Sequence, residues 1–329
     1  MNSDEIGVVV IGRNEGQRLV DCLLSLKSSP YKLIYVDSGS TDGSTSVAAG
    51  MGAYVVHLDS ARPFTAARAR NEGFAALKKT NPNIKFVQFV DGDCKVDGEW
   101  IGVATAFLQR QPDVAVVCGR RRERFPRKSI YNALADIEWD TPCGQTSSCG
   151  GDSLVRADAF DSVGGFRPEL MAGEEPEFCA RLRQVGWKIW RLDAQMTQHD
   201  INLTRFAQWW RRIVRSGYGY AEISRLTRHT PFRLYKRESN RAILWGCLLP
   251  AALAGAVLIH PFALALGLIY PIQVIRIACR RGPRMRMSWY YSVFIIIAKF
   301  AEFEGVLKFY WALASGLGFR RIDYKGGKV

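Results

Sequence analysis

Over residues 1–118, short apolar runs rich in β-branched residues alternate with stretches of helical periodicity, and this alternation restricts the fold more than any other feature of the chain. The runs at 7–11, 33–36, 54–58, 87–90 and 114–118 read as strands, and 15–27, 66–78 and 99–110 read as helices. Short connections between such units predict an α/β fold, a doubly wound, mostly parallel sheet covered on both faces. Ligands of such sheets bind beyond the carboxyl ends of the strands. A dinucleotide fold would carry G-x-G-x-x-G after the first strand, but the chain has Gly12-Arg13-Asn14-Glu15-Gly16 there.

The strand ends carry the polar residues. VQFVDGDCKVDG, residues 87–98, sets Asp91 and Asp93 one residue apart after the fourth run. Two carboxylates this close either hold a hard divalent cation through oxygen ligands or form a polar turn in which Asp91 starts an Asx-turn. VDSGSTDGS, residues 36–44, closes the second run with Asp37 and continues in small residues that let backbone approach a ligand. Arg68 and Arg70 fall on the 66–78 helix, where solvated surface is the ordinary explanation.

Taken in order, IGRNEG (11–16), VDSGSTDGS, ARARNEG (67–73) and FVDGDC (89–94) resemble the nucleotide-sugar-binding half of family 2 glycosyltransferases of the GT-A fold. The resemblance implies donor contacts from Gly12, Asn14, Glu15, Asp37, Arg70, Asp91, Asp93 and Asp152, with Asp37 and Arg70 at the base and Asp91 near the ribose. It also implies a divalent metal, Mg2+ or Mn2+, held on the donor diphosphate by Asp93 and completed by His199. The family's Gly-Glu-Asp segment is similar to Gly173-Glu174-Glu175, so Glu175, next to Glu174, is the expected general base. The same acids also suit a helix start, with Pro176 in its first turn. The Q-x-x-R-W element of processive members resembles Gln208, Arg211 and Arg212, expected at the acceptor and diphosphate, with Arg212 where that element has Trp.

Charge divides the chain. Residues 201–329 hold 21 Lys and Arg against 5 Asp and Glu, whereas residues 1–200 hold 24 against 26. The excess is confined to the part that also holds a run without Asp, Glu, Lys or Arg from Ala242 to Ile275, so it reads as membrane-flanking charge and not as a nucleic-acid surface. The expected organisation is a GT-A domain over 1–215 (donor half 1–118, acceptor half 119–215), a basic linker at 216–241, a hydrophobic hairpin at 242–277 and an interfacial helix at 288–319. His260-Pro261 divides the hairpin, which either crosses the bilayer with both ends cytoplasmic or enters and returns on one side. Within 204–216, Phe206, Trp209, Trp210 and Ile213 share a face opposite Gln208, Arg211, Arg212 and Arg215, a pattern of helices lying at a membrane surface. The basic run 120–128 is an expected loop able to hold an acceptor phosphate.

Eight cysteines without CxxC spacing, and an amino end without a basic segment leading into an apolar core, predict reduced thiols and a catalytic domain on the cytosolic face of the cytoplasmic membrane. The expected activity is an inverting, metal-dependent transfer of sugar from a nucleotide-diphosphate donor, a UDP-sugar by preference, to a membrane- or lipid-linked glycan acceptor in envelope or exopolysaccharide synthesis. The alternative is an inactive nucleotide-sugar-binding or scaffold protein. A phosphatase with a D-x-D nucleophile would carry that motif on its first strand, and here three β-α units precede it.

Overall fold

The computed structural model describes residues 3–27 and 31–316. The chain forms two compact units, Met1–Lys128 with Ala135–Asn202, and Ser129–Leu134 with Leu203–Val329. In the first, the alternation runs as β1 (Ile6–Gly12), α1 (Gln17–Leu26), β2 (Lys32–Asp37), α2 (Ser44–Gly50), β3 (Tyr54–His57), α3 (Ala66–Thr80), β4 (Phe86–Asp91), β5 (Cys94–Val96), α4 (Trp100–Arg110) and β6 (Val114–Glu123). It continues with α5 (Ile130–Trp139), whose first part belongs to the second unit, then β7 (Gly144–Thr146), β8 (Ser153–Arg156), α6 (Ala157–Ser162), α7 (Glu174–Gln184) and β9 (Lys188–His199).

Among the described residues these strands make one sheet of nine, ordered β3-β2-β1-β4-β8-β6-β9-β5, with β7 paired to β9. β1 to β4, β6 and β9 run one way, while β5, β7 and β8 run the other. Central strands buried on both faces must be almost wholly apolar, as IGVVVIG in β1 is. The exception, Gln88 in β4, is wholly buried and spends its amide on Phe89 O (2.7 Å) and the Trp100 indole N–H (2.9 Å). Strand order reverses at β1, with β2 on one side and β4 on the other, and this reversal opens a crevice at the carboxyl edge. Register brings Gly12 beside Asp37 and Ile11 beside Asp91 at that edge.

Two strands exceed the sequence expectation. β6 continues through Glu123, so residues 120–123 are strand and not loop, and β9 runs on to His199 where the apolar pattern ends near Leu192. Pairing between β6 and β9 carries both extensions, and it is invisible to a hydrophobic pattern.

The second unit holds α8 (Phe206–Leu226), α9 (Lys236–Ile243), a π-helical turn (Leu244–Leu248), α10 (Leu249–Ile259), a 3-10 stretch (Pro261–Leu268), α11 (Ile269–Arg281) and α12 (Arg286–Ala314). Lys236–Ile259 and Pro261–Arg281 are each long and apolar enough to cross a membrane. α8 extends to Leu226, past the expected end near 216 and into the stretch read as a linker. Its aromatic edge packs on α12: Trp209 is buried against Phe294 (centroids 5.1 Å), and the Trp210 indole donates to Glu304 (2.7 Å). Those two indoles are therefore spent on a neighbouring helix and not on a membrane surface. α12 covers most of the 288–319 expectation, whose residues 317–319 lie outside the described residues.

Two glycines set this crossing. A Cβ at Gly305 would sit 2.0 Å from Val214 O, and one at Gly217 would sit 2.1 Å from Glu302 O, backbone atoms that cannot swing aside. We expect Gly305→Val to cost about 1–3 kcal/mol or more, read as a lowered thermal midpoint in detergent. An unchanged midpoint would mean the helices separate freely there.

Candidate active site

Two loops at the carboxyl edge are tied together. Asn14, in the left-handed region at φ 53°, donates its N–H to Ser40 Oγ (2.9 Å), while its Oδ1 accepts from Thr41 N (2.7 Å). Gly16 N donates to Asp42 Oδ2 (2.9 Å). Asp37 Oδ2 accepts from Gly39 N and Ser40 N, both at 2.9 Å, and Oδ1 accepts from the Tyr35 hydroxyl at 3.3 Å. Asp37 is thus a buried organiser of its own turn, and Glu15 is a buried partner of Arg18 (2.7 Å). Gly12 leaves room for both, because a Cβ there would meet Glu15 and Tyr35 at 3.2 Å.

Asp91 sits at the end of β4, with Asp93 following it into β5. Asp91 N donates to Asp152 Oδ1 (2.9 Å), and Asp152 Oδ2 accepts from Thr197 (2.9 Å) and the Cys94 thiol (3.2 Å). Asp152 is wholly inaccessible and holds the Asp91 loop from behind. Asp93 Oδ1 lies 3.2 Å from His199 Nε2, joining two residues that are distant in sequence through the β5–β9 pairing. One ligand atom each from Asp91, Asp93, Cys94 and His199 falls within 4.8 Å of the others. Burial, with Asp152, Asp93 and Asp91 nearby, pushes the Cys94 thiol well up, and that thiol already donates to Asp152. The usable ligands are therefore carboxylate oxygen and imidazole, a set suited to Mg2+ or Mn2+. The trough fits the expected ion.

Arg70 is the hinge between this trough and the acids of α7. Its guanidinium is 2% exposed, with Nη2 at 2.8 Å from Asp91 Oδ1, and Nη1 at 2.8 Å from Glu174 and 3.7 Å from Glu175. Two glycines admit it. A Cβ at Gly73 would lie 2.3 Å from Val9, so α3 presses flat on β1, and a Cβ at Gly151 would lie 2.1 Å from Arg70 Nη2. Arg70 therefore braces carboxylates from both sides of the crevice. Burial would raise Asp91, but Arg70 and Arg121 outweigh it and hold the carboxyl below its usual range. Replacing Arg70 by Leu should destabilise the fold by about 3–5 kcal/mol at neutral pH, since it strands paired carboxylates. The Asp91 part is present above the unfolded carboxylate range and disappears as pH falls through the lowered native value. Denaturant titrations at neutral and acid pH would test this, and an equal loss at both would refute it.

α7 begins behind Gly173, at φ 79°, with Glu174, Glu175 and Glu177 in its first turn, where the helix dipole favours carboxylates. The two candidate bases then part ways. Glu174 is consumed by Arg70, whereas the Glu175 side chain keeps 21% of its exposure. Burial and the neighbouring Glu174 raise the Glu175 carboxyl to about 7, against the opposing pull of Arg70.

The sequence reading passed over Arg121 and Trp139. Arg121 lies 3.5 Å from Asp91 and 3.6 Å from Asp152 and stacks on Trp139 (4.9 Å), whose ring meets His199 edge-on (4.8 Å). The signal was available once residues 119–123 are strand, because alternation sends Arg121 and Glu123 one way and Arg120 and Arg122 the other. Arg120 pairs with Asp193 (2.6 Å) and Asp140 (3.2 Å), and Arg122 grips Asp136 through two nitrogens (2.8 and 2.6 Å). Gln208, Arg211 and Arg212 belong to the second unit; the Gln208 side chain caps its own helix by accepting from Thr204 N (2.9 Å) and Arg205 N (3.0 Å).

Residues 7–149 match the family model described as Glycosyl transferase family 2. Glycosyltransferase AglE of Haloferax volcanii is 22% identical over 199 residues, 56% of this chain and 63% of that protein. O-antigen chain rhamnosyltransferase WbaN of Salmonella anatum is 22% identical over 191 residues, 54% of this chain and 59% of that protein. The chain thus spans about six tenths of the length of these curated relatives. The mannosyltransferase PcManGT from Pyrobaculum calidifontis, solved with GDP-Man and Mn2+, superimposes with a TM-score of 0.65 at 17% identity, over 93% of this chain and 87% of that one. The motifs, the sheet order and these likenesses agree: residues 7–149 match the glycosyl transferase family 2 model, and the chain has the GT-A fold.

Proposed function

We propose that the chain is an inverting, metal-dependent glycosyltransferase that moves a sugar from a nucleoside diphosphate donor to a hydroxyl of a membrane- or lipid-linked acceptor in envelope-glycan or exopolysaccharide assembly. The observation that carries this reading is the Asp93–His199 pair at 3.2 Å on one side of Arg70, with the partly exposed Glu175 on the other. Asp93 and His199 would hold the cation, which, when bound there, would supply neutralisation of the departing diphosphate. Glu175 accepts the proton of the acceptor hydroxyl as that oxygen bonds to the anomeric carbon. The bond from that carbon to the diphosphate oxygen breaks on the opposite face, its electron pair leaves with the nucleoside diphosphate, and configuration inverts. Arg70 and Arg121 hold Asp91 ionised and in place beside the cation site.

Two of the similar proteins are named a rhamnosyltransferase and a mannosyltransferase, the latter with GDP-Man, so GDP-mannose and deoxyhexose donors stand beside the UDP-sugars. The apolar hairpin attaches the protein to the cytoplasmic membrane, with the catalytic domain on the cytosolic face where eight free cysteines stay reduced. The test is transfer of isotope from each donor into lipid extract by the purified chain with Mn2+. Label in the lipid fraction from one donor supports the reading. Tight donor binding with no transfer from any donor to any lipid fraction would replace it by a sugar-nucleotide-binding protein.

A further inference from the structure

The hairpin's base packs on α12, while its tip is exposed. Residues 242–275 include no Asp, Glu, Lys or Arg, and at the tip Leu258, Ile259 and Phe262 are 89%, 87% and 84% exposed. Lys236, Arg237 and Arg241 precede its first arm, while Arg276, Arg280, Arg281, Arg284 and Arg286 follow its second, so all of this charge gathers at the open end. That rim complements anionic phospholipid headgroups.

How deep the hairpin reaches follows from where it leaves α12. A Cβ on Gly246 would lie 2.5 Å from Lys299 O, Tyr270 stacks on Phe300 (6.0 Å), and the Tyr270 hydroxyl donates to Trp245 O (2.8 Å). At this level α12 carries the Lys299–Glu302 ion pair (2.7 Å), a charge pair foreign to hydrocarbon. Trp245 and Tyr270 also mark it as an interface, and no Trp or Tyr stands at the tip. Beyond that level, residues 247–259 form an arm of about 20 Å at helical rise. The return, residues 261–269 and mostly 3-10, is about 18 Å. Neither arm spans a hydrocarbon core of roughly 30 Å. The arms are joined by His260 alone, whose N–H donates to Ala256 O (2.9 Å) and whose carbonyl accepts from Ala263 N (2.9 Å). A turn that satisfies its own backbone tolerates lipid.

We propose that residues 242–275 form a one-sided membrane hairpin, which enters an anionic phospholipid leaflet from the arginine-bearing side and returns to it with the tip buried in the bilayer. This rests on the membrane attachment proposed above and is independent of the transfer chemistry. To test it, the full chain carrying His260→Cys, and separately Phe262→Cys, is added to preformed phosphatidylcholine–phosphatidylglycerol vesicles. A membrane-impermeant maleimide is supplied outside or trapped in the lumen, and labelling is read peptide by peptide against native, exposed Cys279. The expected result is flotation with the vesicles, labelling of Cys279 from outside, and no labelling of either tip thiol from either face until detergent is added. Labelling of a tip thiol from the lumen would overturn the proposal in favour of a crossing hairpin. Labelling from outside as readily as Cys279 would overturn it in favour of an uninserted one. Failure to float would instead remove membrane attachment itself, and the proposal with it.

Discussion

Glu175→Gln is expected to lower turnover by about 10²–10⁴-fold while donor affinity stays close to that of the parent. The substitution keeps the size and one hydrogen-bonding oxygen but removes the ability to take a proton, so only the chemical step should suffer. On the proposed reading, the donor lies in the crevice where strand order reverses at β1, across Arg70 from α7. The same carboxyl predicts a pH profile. Burial and Glu174 raise it to about 7, and a general base works only when ionised, so parental turnover should climb as pH rises through about 7 and level off above it. Glu174→Gln should move that rise to lower pH, because it removes a raising charge from beside Glu175. Steady-state rates at saturating donor across pH, with calorimetry for affinity, give both readouts. A Gln variant that turns over normally, or one that loses donor binding and turnover together, would end the assignment of Glu175 as base.

Asp93→Ala should be more damaging to the donor side. The pair with His199 at 3.2 Å is the part of the trough left available once Arg70 has engaged Asp91 and the Cys94 thiol has donated to Asp152. Losing a carboxylate ligand removes much of the charge that offsets the departing diphosphate, a contribution of several kcal/mol. A fall in kcat/KM on the order of 10³-fold or more is expected. Chelation of divalent ions should do the same to the parent and little further to the variant. His199→Ala should fall between the two, because one oxygen ligand persists. The measurement is Mn2+ titration of the full chain with a nucleoside diphosphate, followed calorimetrically in parent and variants. Metal-independent binding of equal strength in all three would sink the trough as a metal centre.

The roles separate according to how far apart the interacting residues lie in the chain. Asp91 and Asp93 were legible because a six-residue apolar strand ends immediately before the D-x-D pair is complete, and strand termini in such sheets point to the ligand edge. His199 was named by the resemblance alone, and its place beside Asp93 comes from the β5–β9 pairing, which no periodicity announces. The carboxylate contacts of Arg70 are not legible in a helix pattern, which cannot reveal that Gly151, in a loop far along the chain, leaves space for its guanidinium. Arg121 was hidden in a run of like charges whose alternation becomes visible only when the run is known to be strand.

On its own, the sequence determined the βα order, the edge on which the acids lie and the long run without charged side chains. Each depends on local periodicity and burial of apolar side chains, which act over a few residues. Tertiary structure alone decided that Glu174 is spent while Glu175 remains available, that Asp152 works from behind, that Arg120 and Arg122 are neutralised, and that Trp209 and Trp210 pack on α12. Those outcomes depend on which charges and surfaces meet when distant segments close together. A buried ion must find its partner in space, and the partner's position along the chain carries no trace of that encounter.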